Sequence, residues 1–190
     1  MEKTRLIAIT GGIGSGKSLA LSLIKESGYF TLSCDEIVNE IYSKRCFLIK
    51  LKKLFGKEVC VINKSINRNE ISKKVFSDSA LREKLNRLVH PQVVAQIYKK
   101  VKRAKVKTAV VEVPLLFESN LQTLFDKVLI IVRDKNSREK ALLERGLNKE
   151  QIIERINSQI DYENLDKTPY TVILNDSDEN SLKQKLIKEL

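Results

Sequence analysis

Gly11-Gly12-Ile13-Gly14-Ser15-Gly16-Lys17-Ser18 satisfies the spacing G-x-x-x-x-G-K-[ST] in full, and each residue type in it has a task around a phosphate. Glycines let the backbone curl until several N–H groups point inward as a concave anion nest. A helix beginning at that point adds its positive end. Lys17 is long enough to reach β- and γ-phosphates, and the Ser18 hydroxyl is a ligand for Mg²⁺. A glycine-rich corner with a chance Gly-Lys-Ser would carry the same letters. Here a buried-strand pattern, Leu6 to Ile9, precedes the loop, and a helical stripe of Leu19, Ala20, Leu23 and Ile24 follows it. That context favours the phosphate reading, so the chain is expected to bind a nucleoside triphosphate through Gly11–Ser18.

What the triphosphate is used for depends on what else is present. A GTPase needs D-x-x-G and N-K-x-D, and both "NKSI" and "NKEQ" lack the aspartate. Motor and helicase ATPases end a later strand in an acidic pair, whereas "AVVEVPLLFE" holds a lone Glu112 followed by a proline. These absences favour a small-molecule kinase. Such an enzyme needs a group to orient or deprotonate an acceptor hydroxyl, placed at the carboxyl end of a strand near the loop. Asp35 fits, and it fits equally well as a helix N-cap; the residues alone leave both roles open.

The elements that would position these groups follow from periodicity. Strands are expected at Leu6–Ile9, Tyr29–Leu32, Thr108–Val113, Lys127–Val132 and Tyr170–Leu174, with helices at Lys17–Ser27 (closed by Gly28) and from Asp35 to Tyr42. Asp134 to Ile160 reads as a helical pair interrupted at Gly146, with Asn148 and Gln151 as a capping box, and Ser181–Leu190 as a final amphipathic helix. Residues 43–107 are Lys-rich and helical in pattern, with apolar positions at Leu48, Leu51, Leu54, Phe55, Leu81, Leu85, Leu88 and Val89. Strands alternating with helices give an α/β fold with a mainly parallel five-stranded sheet flanked by helices. The expected organisation is a single domain over 1–190 with a helical insertion at about 43–107.

The formal charge of +11 admits three explanations: nucleic-acid binding, a site for heavily phosphorylated small ligands, or merely solvated lysine faces. In Lys44–Lys57 the aromatics Phe47 and Phe55 sit at core-like helical spacing, which favours the solvated face. No apolar run approaches the roughly 20 residues of a membrane helix, and "MEKTRLIAIT" resembles neither a signal nor a transit peptide. Cys34, Cys46 and Cys60 lack C-x-x-C pairing and read as reduced packing residues, so the expected compartment is cytoplasmic. With His90 the only histidine, a zinc site or a Ser-His-Asp triad has little to build with.

Taken together, several segments resemble the dephospho-coenzyme A kinase family. They are "AITGGIGSGKS", "TLSCDEIV", the stretch "INRNEISKKVFSDSALREKLNRLVHPQV", "VVEVPLLFES", "ALLERGLNKEQIIERINSQ" and "VILNDSD". The resemblance spans nearly the whole chain and departs at Ser33, where the family's D-A-D segment has its first aspartate. It implies a P-loop kinase fold with a helical acceptor lobe and a helical lid, here about 138–162. The implied reaction is phosphorylation of the ribose 3′-hydroxyl of dephospho-CoA by ATP with Mg²⁺. A nucleoside or nucleoside-monophosphate kinase, and a nucleic-acid-binding ATPase, are the rival readings. The implied partner is dephospho-CoA, with no nucleic acid, no membrane, and a monomer or weak homo-oligomer expected.

The resemblance also distributes roles over residues. Asp35 matches the catalytic base, with Lys17 and Arg145 as further catalytic groups. Gly11 to Ser18, Arg155 and Asn175 are placed at the nucleotide, with Ser18 on the metal. Asp35, His90, Leu116 and Glu118 are placed at the acceptor. Several of these have a plainer reading. His90 ahead of Pro91 could simply end a helix, and Arg145 could be a solvated helix residue rather than an arginine finger. Arg155 and Gln159 share one helix face. Arg138, seven residues before Arg145, reads as a surface charge, and Glu112 as either a metal-water partner or a lysine's counter-ion.

Overall fold

A computed structural model describes residues 3–56, 59 and 66–190; Lys57 and Cys60 lie outside the described residues. A strand forms at each expected place, with ends shifted by a residue in four of them: β1 (Arg5–Thr10), β2 (Phe30–Ser33), β3 (Thr108–Glu112), β4 (Lys127–Val132) and β5 (Thr171–Leu174). They form one five-stranded sheet in the order β2-β3-β1-β4-β5 with every pairing parallel. β1 lies at its centre because it is apolar on both faces. Ile7 and Ile9 pack on one side, Leu6 and Ala8 are buried on the other, and only Arg5 at its start is exposed.

The helices are α1 (Lys17–Glu26), α2 (Cys34–Tyr42), α3 (Arg45–Phe55), α4 (Arg68–Ser77), α5 (Ser79–Ala104), α6 (Lys135–Glu144), α7 (Lys149–Asn157) and α8 (Glu179–Lys188). Among the described residues none is long and apolar enough to cross a membrane. The chain divides into two compact units: the residues up to Ser33 together with Ala104–Leu190, and Cys34–Arg103.

In the sheet unit, α1 and α8 cover one face. Ala20, Leu23 and Ile24 of α1 and Leu182 and Leu186 of α8 close over Ile7, Ile9, Val110, Leu129, Ile131 and Ile173. Gly28, at φ 88°, ends α1 as its C′ residue should. The capping box expected at α7 is present: Asn148 accepts from the Gln151 N–H (2.8 Å), and Gln151 Oε1 accepts from the Asn148 N–H (3.1 Å).

The second unit is helical. α3 buries Phe47, Leu51 and Phe55 and leaves Lys44, Arg45, Lys50, Lys52 and Lys53 exposed. Its aromatics are therefore committed to packing, with Phe47 stacked on Tyr42 at 5.4 Å. α5 buries Leu85, Val89, Val93, Ile97 and Val101, a strict four-residue period. The reading that Pro91 ends a helix at His90 is corrected here, because α5 runs through it. Proline removes the donor that would have met the Arg87 carbonyl. The side-chain Nε2 of the next residue, Gln92, donates to the Leu88 carbonyl (3.4 Å), and the buried stripe on both sides of the proline keeps the helix continuous.

Candidate active site

The loop Gly11–Ser18 leaves β1 at the carboxyl edge of the sheet, where ligands of open parallel sheets bind. Three of its glycines have positive φ: Gly11 (146°), Gly14 (76°) and Gly16 (97°). A side chain at Gly11 would strike the Ile131 carbonyl of β4, and one at Gly16 would strike the amide of Asn175. Only glycine satisfies both the conformation and the space. Lys17, first residue of α1, folds its ammonium back over the loop and donates to the carbonyls of Gly11 (2.8 Å) and Gly12 (3.1 Å). The hydroxyl of Ser15 is buried and has no hydrogen-bond partner among the described residues.

Beside the loop, the end of β3 contributes a carboxylate. Glu112 pairs in register with Ile9 of β1 and Ser33 of β2, and it is 7% exposed. Its Oε1 accepts from the Ser18 hydroxyl at 3.1 Å. A hydroxyl and a carboxylate in contact at an anion nest form the hard-oxygen donor set that suits Mg²⁺. Of the two readings of Glu112, metal-water partner or lysine counter-ion, its bond to Ser18 favours the first.

On the other side of the loop, β4 leads directly into α6, whose first turn is capped by Asp134 accepting from the Ser137 N–H (2.9 Å). One turn further along, Arg138 donates from Nε to the Ile13 carbonyl (3.1 Å), and its guanidinium lies against the Cα of Gly12. The expectation of a surface charge at Arg138 is corrected. The seven-residue spacing to Arg145 says nothing about which end of α6 faces the loop, and the adjacency of β4 to β1 decides it.

The segment after α7 closes over the same loop. Gln159 Oε1 accepts from the Ile13 N–H (2.7 Å). The next residue, Ile160, donates its N–H to Glu118 Oε1 (2.9 Å), and Tyr162 shares a hydrogen bond with Thr10 (2.9 Å). Burial pushes the Tyr162 hydroxyl up to about 12, against the lowering effect of its bond to Thr10 and with the Glu118 carboxylate adding to the rise. Tyr162 also packs edge-on against Phe117 at 6.1 Å.

Two of the cavities that Arg138 lines reach Gly12. One of about 420 Å³ lies against Gly12, with Ile131, Val132, Leu174, Lys167 and Asp176 in its walls. The other, about 560 Å³, runs from Gly12 past Lys135, Asn157, Gln159 and Asp161.

The expected site residues thus separate. Gly11–Ser18 form the loop and Asn175 bonds to it, while Glu118 instead holds the Ile160 N–H, next to the Gln159 that bonds to Ile13. Asn175 is buried and turns its amide to the Ser15 carbonyl (2.9 Å). Leu116 is fully buried and has no surface with which to meet a substrate. Arg145 is the exposed C-cap of α6, and Arg155 is exposed on α7. Asp35 is exposed in the first turn of α2, two residues along the chain from Ser33. His90 is half-buried on α5, and burial lowers its pKa below 6.5.

Comparison with known proteins adds an independent line. Residues 5–181 match the family model for dephospho-CoA kinase. A dephospho-CoA kinase of Fusobacterium nucleatum is 33% identical over 183 residues, covering 95% of this chain and 94% of that protein. One from Listeria innocua is 32% identical, covering 98% and 95%. Among solved structures, a Thermus thermophilus protein superposes with a TM-score of 0.89 at 27% identity, over 99% of this chain and 96% of that one. A dephospho-CoA kinase from Campylobacter jejuni, at 24% identity and a TM-score of 0.70 over 98% and 96%, shares the fold.

Proposed function

This chain belongs to the dephospho-CoA kinase family and is a kinase, and from that premise we propose that it transfers the γ-phosphoryl group of ATP to the ribose 3′-hydroxyl of dephospho-CoA, giving CoA and ADP. The observation that carries the reading is the complete phosphate loop between β1 and α1, with Glu112 bonded to its Ser18.

The loop N–H groups and Lys17 receive the triphosphate, Lys17 exchanging loop carbonyls for β- and γ-oxygens. Ser18 and Glu112 are the residues that would hold Mg²⁺, which when bound supplies charge neutralisation across those oxygens. The nucleoside occupies the cavity of about 420 Å³ beside Gly12, whose apolar walls Ile131, Val132 and Leu174 suit a base. Asp35 orients the acceptor hydroxyl and takes its proton. Its support is covalent: the chain passes from the end of β2 straight into the first turn of α2. Residues of the helical insertion, His90 among them, hold the acceptor. Arg145 comes to the transferring phosphoryl group when the segment 138–162 closes, which also excludes water that would hydrolyse ATP. Positioning and charge neutralisation then supply most of the rate, as phosphoryl transfer requires little covalent help.

The test is ADP release with ATP and Mg²⁺ in the presence of dephospho-CoA, AMP, CMP or single-stranded DNA in parallel. Strong turnover with dephospho-CoA alone is expected. Turnover with a nucleoside monophosphate instead would remove the acceptor assignment, and stimulation by DNA would mean that the charge of +11 serves a nucleic acid.

A further inference from the structure

Side-chain donors grip four of the five carbonyls from Gly11 to Ser15, all but that of Gly14. Lys17 takes those of Gly11 and Gly12, Arg138 takes that of Ile13 (3.1 Å), and Asn175 takes that of Ser15 (2.9 Å). No peptide bond among the described residues is cis. In a trans peptide the carbonyl of one residue and the N–H of the next point in opposite directions. Holding the Ile13 carbonyl from α6 therefore turns the Gly14 N–H away from α6. Holding the Ser15 carbonyl from the turn after β5 turns the Gly16 N–H away from that turn. Left to itself, a segment this rich in glycine rotates such peptides easily, and each rotation would replace an N–H by a carbonyl oxygen facing the anion.

We propose that Asn175 and Arg138 are positioning residues of the phosphate loop. They fix the Ser15–Gly16 and Ile13–Gly14 peptides with their N–H groups toward the phosphates before any ligand arrives. This rests on the reading of the loop as a triphosphate cradle. Asn175 is suited to the task because it is itself fixed. It is 8% exposed, its own N–H donates to the Val132 carbonyl (2.8 Å), and its amide occupies the space that a Cβ on Gly16 would need. Little of it is left to meet a nucleotide. Arg138 works from the opposite side, with Gln159 holding the Ile13 N–H (2.7 Å), so both polar groups of Ile13 are taken by the 138–162 segment. The shape of the cradle is thereby tied to the position of that segment.

A penalty incurred in shaping the loop is independent of base and ribose, and this sets the test. Pyrophosphate and ADP are titrated by calorimetry into the full-length protein, Asn175→Ala and Arg138→Lys, alongside kcat and the KM for ATP. Asn175→Ala should weaken pyrophosphate and ADP by the same factor, about five- to twentyfold for one lost buried hydrogen bond. Its kcat at saturating ATP should stay within about threefold of the parent. Arg138→Lys, with its charge retained, should show the same parallel loss. Should Asn175→Ala fail to fold, the more accessible Arg138→Lys carries the test. Unchanged pyrophosphate affinity with weakened ADP would overturn the proposal, since the residue would then act on the nucleoside. Intact affinities with a fallen kcat would overturn it too. If the parent protein itself fails to bind pyrophosphate, it is the triphosphate reading that falls.

Discussion

At the scale of single residues, the proposed chemistry rests on two carboxylates in different settings. Glu112 is buried at a strand end with its oxygen on the Ser18 hydroxyl, while Asp35 is exposed at the start of a helix. Removing the charge at Glu112 should leave metal-free ADP binding intact and strike the metal-dependent step. Glu112→Gln is predicted to lower kcat by about a hundredfold and to raise the Mg²⁺ concentration needed for half-maximal rate. A Mg²⁺ titration that superimposes on the parent's would remove Glu112 from the metal. Asp35→Asn is predicted to lower kcat by about 10²–10⁴ while ATP affinity changes less than about twofold, as the loss of a base should. Unchanged turnover would leave Asp35 as an exposed first-turn residue, whose charge suits a helix N-terminus; the N-cap reading is corrected, because α2 begins at Cys34. The sequence made Lys17 and Ser18 legible because their spacing from β1 is local, and it offered Asp35 as a candidate by its place after β2. Glu112, Arg138 and Gln159 reach the loop across 94, 125 and 146 residues, a distance that no local pattern spans.

Among the elements, α7 and α5 make separate predictions. α7 buries only Ile152, so its capping box is a large part of what holds its first turn. Asn148→Ala should cost about 1 kcal/mol locally. It should speed hydrogen exchange in the α7 amides by about fivefold, with little change in the melting of the sheet. Exchange at the parent rate would mean that packing and not the cap sets the helix. α5 carries His90, whose folded pKa is depressed by burial. Below 6.5 the unfolded chain then binds the proton more readily than the fold does. This contribution to stability is therefore complete above 6.5 and lost as the pH falls through the folded pKa. The difference in unfolding free energy between the parent and His90→Asn should be flat above pH 7 and diverge in the acid limb. A pH-independent difference would contradict it. Periodicity found these helices and the cap of α7, but a proline rule misjudged α5. The rule is local, and five buried residues at four-residue spacing outweigh one missing donor.

Over the whole molecule, one sheet order explains why residues so far apart in sequence share a site. With β1 at the centre, the ends of β3, β4 and β5 all deliver polar groups to one loop: Glu112 from β3, Arg138 through α6 from β4, and Asn175 from β5. The order β2-β3-β1-β4-β5 is a pairing choice that strand patterns alone leave open. The sequence therefore announced a parallel sheet and a phosphate loop without saying which side chains would support that loop. Its exposed lysines, opposite buried Phe47 and Phe55, suit attraction of anionic substrates over stacking on bases. The most direct measurement follows the phosphate itself. A single turnover with γ-labelled ATP and dephospho-CoA, with the product analysed for the position of the label, is predicted to place it on the ribose 3′-oxygen, with ADP formed in equal amount. Label found in free phosphate, or at any other position of the acceptor, would contradict the account.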